Sequence, residues 1–189
     1  MLVDIQAKLA EGKGPGYERW AKVFNLKQMA AALAYLQDNG LTEYGELEKK
    51  AAETTDRFHA LSNQIKQTES AMNTNRELKS ATVQYARTRP VFEKYKAAKY
   101  SKKFLAEHEA DIELYRAAQA DLKRLLNGEK LPKMDVLKEE GRRLAEQKWK
   151  LYAEYQKVRR DMQEVNTAKA NIDYLLGYAG QDKKKEQER

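Results

Sequence analysis

Leu137, Leu144, Leu151, Val158, Val165 and Ile172 recur every seven residues without a miss. Apolar side chains at that interval line one side of an α-helix, so residues 134–176 are constrained to a long helix with a continuous seam. The companion positions are Gly141, Lys148, Tyr155, Met162, Lys169 and Leu176. Between them lie pairs of opposite charge four residues apart: Glu139/Arg143, Glu146/Lys150, Lys157/Asp161 and Arg160/Glu164. Each such pair adds about 0.2–0.5 kcal/mol of helix support. Gly177 marks the predicted end.

A weaker seam runs through Leu47, Ala51, Thr54, Phe58, Leu61, Ile65, Thr68 and Met72, alternating steps of four and three. Thr54 and Thr68 are poor core residues. After Met72 the frame slips, and Leu78, Thr82 and Tyr85 continue in a new one, which changes the supercoil locally. Segments 44–86 and 134–176 each contain 43 residues, or about 65 Å of helix at 1.5 Å per residue. Equal lengths with matching seams predict an antiparallel pair. Between them, Leu105, His108, Ile112, Tyr115, Gln119, Leu122 and Leu126 keep three-four spacing, and Asn127-Gly128 stops that helix. Pro132 and Asp135 suit the start of the next.

The first forty residues form a separate group. A short helix over 2–12 is broken by EGKGPGY, because three glycines and a proline in seven residues do not hold a helix. Residues 18–38 resume helical periodicity through Leu26, Met29, Leu33 and Leu36, and Asn39-Gly40 ends it, with Gly40 as the left-handed cap. The predicted fold is all-α. Residues 1–40 make an N-terminal helical subdomain. Residues 41–86 and 134–177 make an antiparallel coiled-coil stem. Residues 87–133 make a small helical head at its tip, and 178–189 a disordered tail. Pro90 supports the break before the head, since it removes a helix hydrogen bond and disfavours helical geometry at Arg89. The alternative is a three-helix bundle in which 44–98 stays continuous and kinked.

Charge is distributed less evenly than the helices. Lys79, Arg87, Arg89, Lys94, Lys96, Lys99, Lys102 and Lys103 are eight bases against one acid, Glu93, for a local net charge of +7. The whole chain is also +7, so everything outside this sector is close to neutral. Tyr85, Phe92, Tyr95 and Tyr100 interleave with the bases. Exposed rings of this kind stack on nucleotide bases, and lysines contact phosphates; packed rings would instead form the core of the head. Ser101 suits an N-cap, which puts Lys102 and Lys103 in a first helical turn, where the dipole disfavours cations but attracts a phosphate. The residues that point to nucleic acid are Arg87, Arg89, Lys94, Lys96, Lys99, Lys102 and Lys103, with Tyr95 and Tyr100. Arg142-Arg143, Arg159-Arg160 and Lys183–Lys185 are weaker candidates because acids surround them.

Other chemistries find little support. Cysteine is absent, so no disulfide or thiolate metal site forms. The two histidines, His59 and His108, have no second ligand at metal spacing. GKGPG lacks the Lys-Ser/Thr ending of a phosphate loop and reads as a hinge. No catalytic constellation, metal or cofactor is expected. The longest apolar run is eight residues, Met29 to Leu36, too short to span a bilayer. The opening MLVDIQAKLAEG lacks the order of a signal peptide, and a cytoplasmic protein is expected.

The strings LVDIQAKLAEGKGPGYERWAKVFNLKQMAAAL (2–33) and YSKKFLAEHEADIELYRAAQADLKRLL (100–126) resemble the C-terminal region of MobA/MobL-type relaxases, the mobilization nucleases of Gram-positive conjugative elements. The resemblance covers nearly the whole chain and rests on extended strings, with no short diagnostic motif. Such relaxases nick DNA with an N-terminal domain carrying a histidine cluster, a metal and a tyrosine nucleophile, none of which is present here. The resemblance therefore implies a non-catalytic accessory region in a bacterial cytoplasm. Its implied partners are DNA of either strandedness and a relaxosome or coupling protein; the coiled-coil seam itself allows pairing with a second copy.

Overall fold

A computed structural model describes residues 1–177, and the tail expected to be disordered, with Lys183–Lys185, lies outside the described residues. Six helices follow in order: α1 (Ile5–Ala10), α2 (Pro15–Asp38), α3 (Tyr44–Ala97), α4 (Lys102–Glu107), α5 (Glu109–Leu126) and α6 (Met134–Leu175), with no strand among the described residues. The protein is all-α. Its contacts separate two compact units, one from residues 1–62 and 153–177 of those described, the other from 63–152.

In the first unit, α1 opens on Asp4, whose carboxylate accepts the Ala7 N–H at 3.0 Å. The Asn25 side chain then ties the N-terminus to α2, accepting the Val3 N–H and donating to the Val3 carbonyl, both at 2.8 Å. α2 starts at Pro15, three residues before the sequence expectation, because proline fits the first helical position without losing a hydrogen bond. Gly40 takes the expected left-handed cap at φ +63°, and the Leu41 N–H returns to the Leu36 carbonyl at 2.9 Å. Glu46 seats the start of α3 by accepting the Thr42 and Glu43 N–H groups at 2.9 and 3.2 Å, and those bonds hold its carboxyl below the ordinary range. The core is Leu47, Ala51 and Val165, with Tyr35, Leu36, Leu41 and Ile172 packed against it.

The helical periodicity expected through Leu26, Met29, Leu33 and Leu36 does not mark one buried face of α2. Ala21 and Ala32 are buried and Met29 and Leu36 half-buried, while Leu26 and Leu33 stand in solvent. Residues 29–36 are apolar on every side of the helix, so periodicity alone does not select a face. The small alanines permit the closer approach.

The second unit packs Leu78, Ala81, Leu122 and Leu137 together, with Tyr85, Leu125 and Leu126 against them. The break expected at Pro90 is absent, and α3 continues through it to Ala97, as the continuous-helix alternative had it. Pro90 and Ala86 both lie on the exposed side, so the Ala86 carbonyl that loses its donor meets water. Tyr85, Thr88, Phe92 and Tyr95 on the packed side hold the helix together past the proline. Thr68 and Thr88 are buried without penalty because each hydroxyl donates to a carbonyl of its own helix, Gln64 and Gln84, at 2.8 Å. After the frame slip the buried position is Ala81, with Thr82 beside it half-buried. The single helix expected over 101–126 is two, interrupted at His108, and Ala118 takes the buried position expected of Gln119.

The seam of α6 is as expected: Leu137, Leu144, Val158 and Val165 are buried, and Leu151 and Ile172 half-buried. Its companion positions carry polar contacts. Lys148 pairs with Glu69 at 2.7 Å. A Cβ added at Gly141 would come within 3.2 Å of Asn75 Oδ1, so the glycine admits α3 closely there. Of the four charge pairs, Glu146–Lys150 closes at 2.6 Å, whereas Arg143 turns to Glu140 at 2.7 Å and leaves Glu139.

Candidate nucleic-acid interface

The basic sector lies on the last turns of α3, the turn 98–101 and the first turn of α4. Arg87 and Lys94 are seven residues apart, as are Arg89 and Lys96, so each pair shares a face of α3. All four side chains are exposed, together with Lys99, Lys102 and Lys103. Arg89 reaches Glu93 at 3.8 Å. Arg87, Lys94, Lys96, Lys99, Lys102 and Lys103 close no ion pair among the described residues. The first turns of α6 differ in this respect, since Arg142 and Arg143 are bridged to Glu139 and Glu140.

The aromatic rings sit beneath the bases. Tyr115 of α5 stacks on Phe92 at 4.0 Å between centroids and on Tyr85 at 5.2 Å. Tyr95 meets Phe104 at 6.1 Å and the edge of Tyr100 at 5.2 Å. Tyr95 is buried, so the base-stacking role expected of it is sterically closed: its faces are occupied within the fold. Tyr100 remains exposed. Burial, and then the hydrogen bond to Tyr85, pushes the Tyr115 phenol up to about 12. The sequence seam contained Tyr115, but its pairing with Phe92 was not foreseen. The seven-residue step from Tyr85 to Phe92 was the available signal.

The turn itself is strained. Lys99 and Tyr100 both adopt left-handed backbone, at φ +51° and +59°. Their N–H groups return to the carbonyls of Lys96 and Tyr95 at 3.0 and 3.1 Å, which ends α3 and reverses the chain. A side chain in this conformation costs about 1–2 kcal/mol, and glycine avoids that cost. Lys99→Gly is therefore expected to raise stability by about 0.5–1 kcal/mol after the extra chain entropy of glycine. Thermal unfolding followed by circular dichroism checks it, and an unchanged or lower Tm counts against the strain.

Ser101 occupies the N-cap of α4, but its hydroxyl makes no capping bond, and α4 has only six residues. The phosphate pocket expected there reduces to two exposed lysines. His108 separates α4 from α5 and packs its ring on Phe104 at 4.4 Å, while His59 is exposed beside Phe58. No group of three or more His, Cys, Asp or Glu side chains among the described residues could hold a metal ion. No described helix is long and apolar enough to cross a membrane. Comparison with protein-family models, curated proteins and solved structures returned no match to the chain.

Proposed function

We propose that this chain is a non-catalytic accessory region of a relaxase-type mobilization protein, acting in a bacterial cytoplasm, and that it holds DNA through the basic sector around the α3–α4 turn. The observation that carries the DNA reading is the set of six exposed bases without ion pairs among the described residues, anchored on a packed aromatic ladder. A rigid base beneath long cations lowers the entropy lost when they meet phosphates. With Tyr95 occupied internally, phosphate contacts dominate and base reading is slight. The relaxase assignment rests on the resemblance of residues 2–33 and 100–126 alone.

The test is fluorescence anisotropy with single- and double-stranded DNA of mixed sequence across a salt series. Alongside it runs a variant with Lys94, Lys96, Lys99, Lys102 and Lys103 changed to Gln. Affinity is expected to fall steeply with salt. If all five lysines neutralise phosphates of a duplex, the variant lowers the log–log slope by about 4 to 5. Equal binding by the two proteins, or none by either, rules the reading out.

A second reading, a scaffold linking a relaxase to its relaxosome or coupling protein, is favoured by the pairing of the long helices. In the first unit, Tyr44 meets Asp173 and Phe58 meets Tyr155; in the second, Glu69 meets Lys148 and Leu78 meets Leu137. Partners descend α6 as they ascend α3 within each unit. This supports an antiparallel, coiled-coil-like stem, whose spare faces would carry protein contacts.

A further inference from the structure

We infer that α2 is a self-association surface, on which a second copy of this chain packs its own α2 antiparallel about a two-fold axis. One set of apolar side chains that point outward from α2 forms a seam. Val23, Leu26 and Leu33 are 54, 64 and 55% exposed, and the exposed Ala30 completes steps of three, four and three. That is the spacing of a helix–helix seam, yet none of the described residues covers it. The run Met29–Leu36 is apolar all round, a composition that belongs to helices buried on both sides. Here only Ala32 of that run is buried.

A second observation lies next to the seam. Between α2 and α6 is a groove of about 510 Å³, lined by Ala31, Ala34, Tyr35, Thr167 and Asn171 among others. Asn171 is 1% exposed, and its Nδ2 donates to the Gln28 carbonyl at 3.3 Å, but its Oδ1 has no partner among the described residues. A buried acceptor left unpaired costs about 1–3 kcal/mol, so the groove lacks a donor.

Charge selects the occupant. The first half of α2 carries Arg19 and Lys22 against Glu18, for +1, and Lys27 follows directly. Its other end carries Asp38, and Asp161 and Glu164 of α6 lie close enough to raise the Tyr35 phenol after burial has done so; against Arg160 and Lys50, whose Nζ lies 5.8 Å from the Tyr35 ring centroid, these give −1. A parallel pair would set like charges together, whereas an antiparallel pair sets opposite ones together. The register that matches Val23 with Leu33 and Leu26 with Ala30 sets Arg19 at the level of Gln37, one residue from Asp38. It places Lys27 of the second copy near the level of Gln28, where the Asn171 acceptor lacks its donor. An isologous contact of this kind closes on itself and does not propagate.

Sedimentation velocity of the full chain through the micromolar range tests the inference. The wild type is expected to shift from one chain to two with concentration. Leu26→Glu with Leu33→Glu is expected to abolish the shift while leaving helicity unchanged, since both side chains are already exposed. Arg19→Glu and Asp38→Arg are each expected to weaken pairing about tenfold, because two-fold symmetry counts each change twice, and the two together to restore it. A wild type that stays single overturns the inference. A dimer indifferent to the Leu26/Leu33 changes, such as one formed through the long helices, also overturns it. Failure of the double charge exchange to restore affinity overturns the antiparallel register.

Discussion

Tyr115→Ala is expected to lower stability by about 3–5 kcal/mol, the range for removing a large aromatic side chain from a core. For a chain of this length that corresponds to a fall in Tm of about 10 °C or more. Tyr115 is buried and stacks on Phe92 and Tyr85 at once. Deleting it leaves α3 without its partner on either side of Pro90, where that helix already lacks a hydrogen bond. Tyr115→Phe keeps both stacks and loses only the hydroxyl bond to Tyr85, which sets its expected cost at about 1 kcal/mol. Hydrogen exchange separates local from global loss. In the alanine variant, amides of 85–126 are expected to exchange faster, while those around Leu47 and Val165 in the other unit keep their protection. Equal destabilisation by the two substitutions would place the energy in the hydroxyl and not in the rings. On the proposed DNA-holding role, the alanine variant should also weaken that binding without removing a single charge, because the turns carrying Lys94 and Lys96 lose their support.

Legibility followed the spacing of large side chains. Leu137 to Ile172 repeats so regularly that the seam of α6 could be read position by position, and Gly40 and Gly177 mark helix ends because only backbone chemistry matters there. α2 was legible as a helix, but which of its faces is covered was not, because residues 29–36 are apolar on every side. Pro90 was overweighted: its cost of about 3 kcal/mol is real, but the ring contacts of Phe92 and Tyr95 come from residues later in the chain, which no local rule includes. His108 shows the opposite error. It lies on the apolar seam, and its ring packs on Phe104 as the seam requires, yet the backbone turns there. For the candidate site, the cluster of bases was plain from counting. Which ring faces stayed free depended on α5 folding back, and that closed Tyr95 while leaving Tyr100 exposed.

Asp173→Asn is expected to cost about 2 kcal/mol at neutral pH and to reshape alkaline unfolding. Asp173 accepts from the Tyr44 hydroxyl at 2.6 Å and from Lys169 Nζ at 2.8 Å, which joins the first turn of α3 to the last of α6. Lys169 also reaches the Tyr44 oxygen at 3.1 Å. The Lys169 and Asp173 side chains are 27 and 21% exposed, so the pair lies between a surface bridge of under 1 kcal/mol and a buried one, whose rupture costs about 3–5 kcal/mol. Burial pulls the Lys169 ammonium down, but its hydrogen bonds to Asp173 and Tyr44 prevail and raise it above the ordinary 10.5. Burial, then the bond to Asp173, raises the Tyr44 phenol above 10.0. Both groups bind their protons more tightly folded than unfolded. Their contribution is therefore complete below the unfolded values and is lost as pH rises through the folded ones. Wild-type stability should fall from about pH 10 upward, and the Asn variant, with less to lose, should fall less steeply. Tyr44→Phe removes one of the two protons and should lie between them. Parallel alkaline slopes for all three proteins would show that the cluster does not control this edge of the stability range. Tyr115, whose buried phenol titrates at about 12, would then be the group to examine.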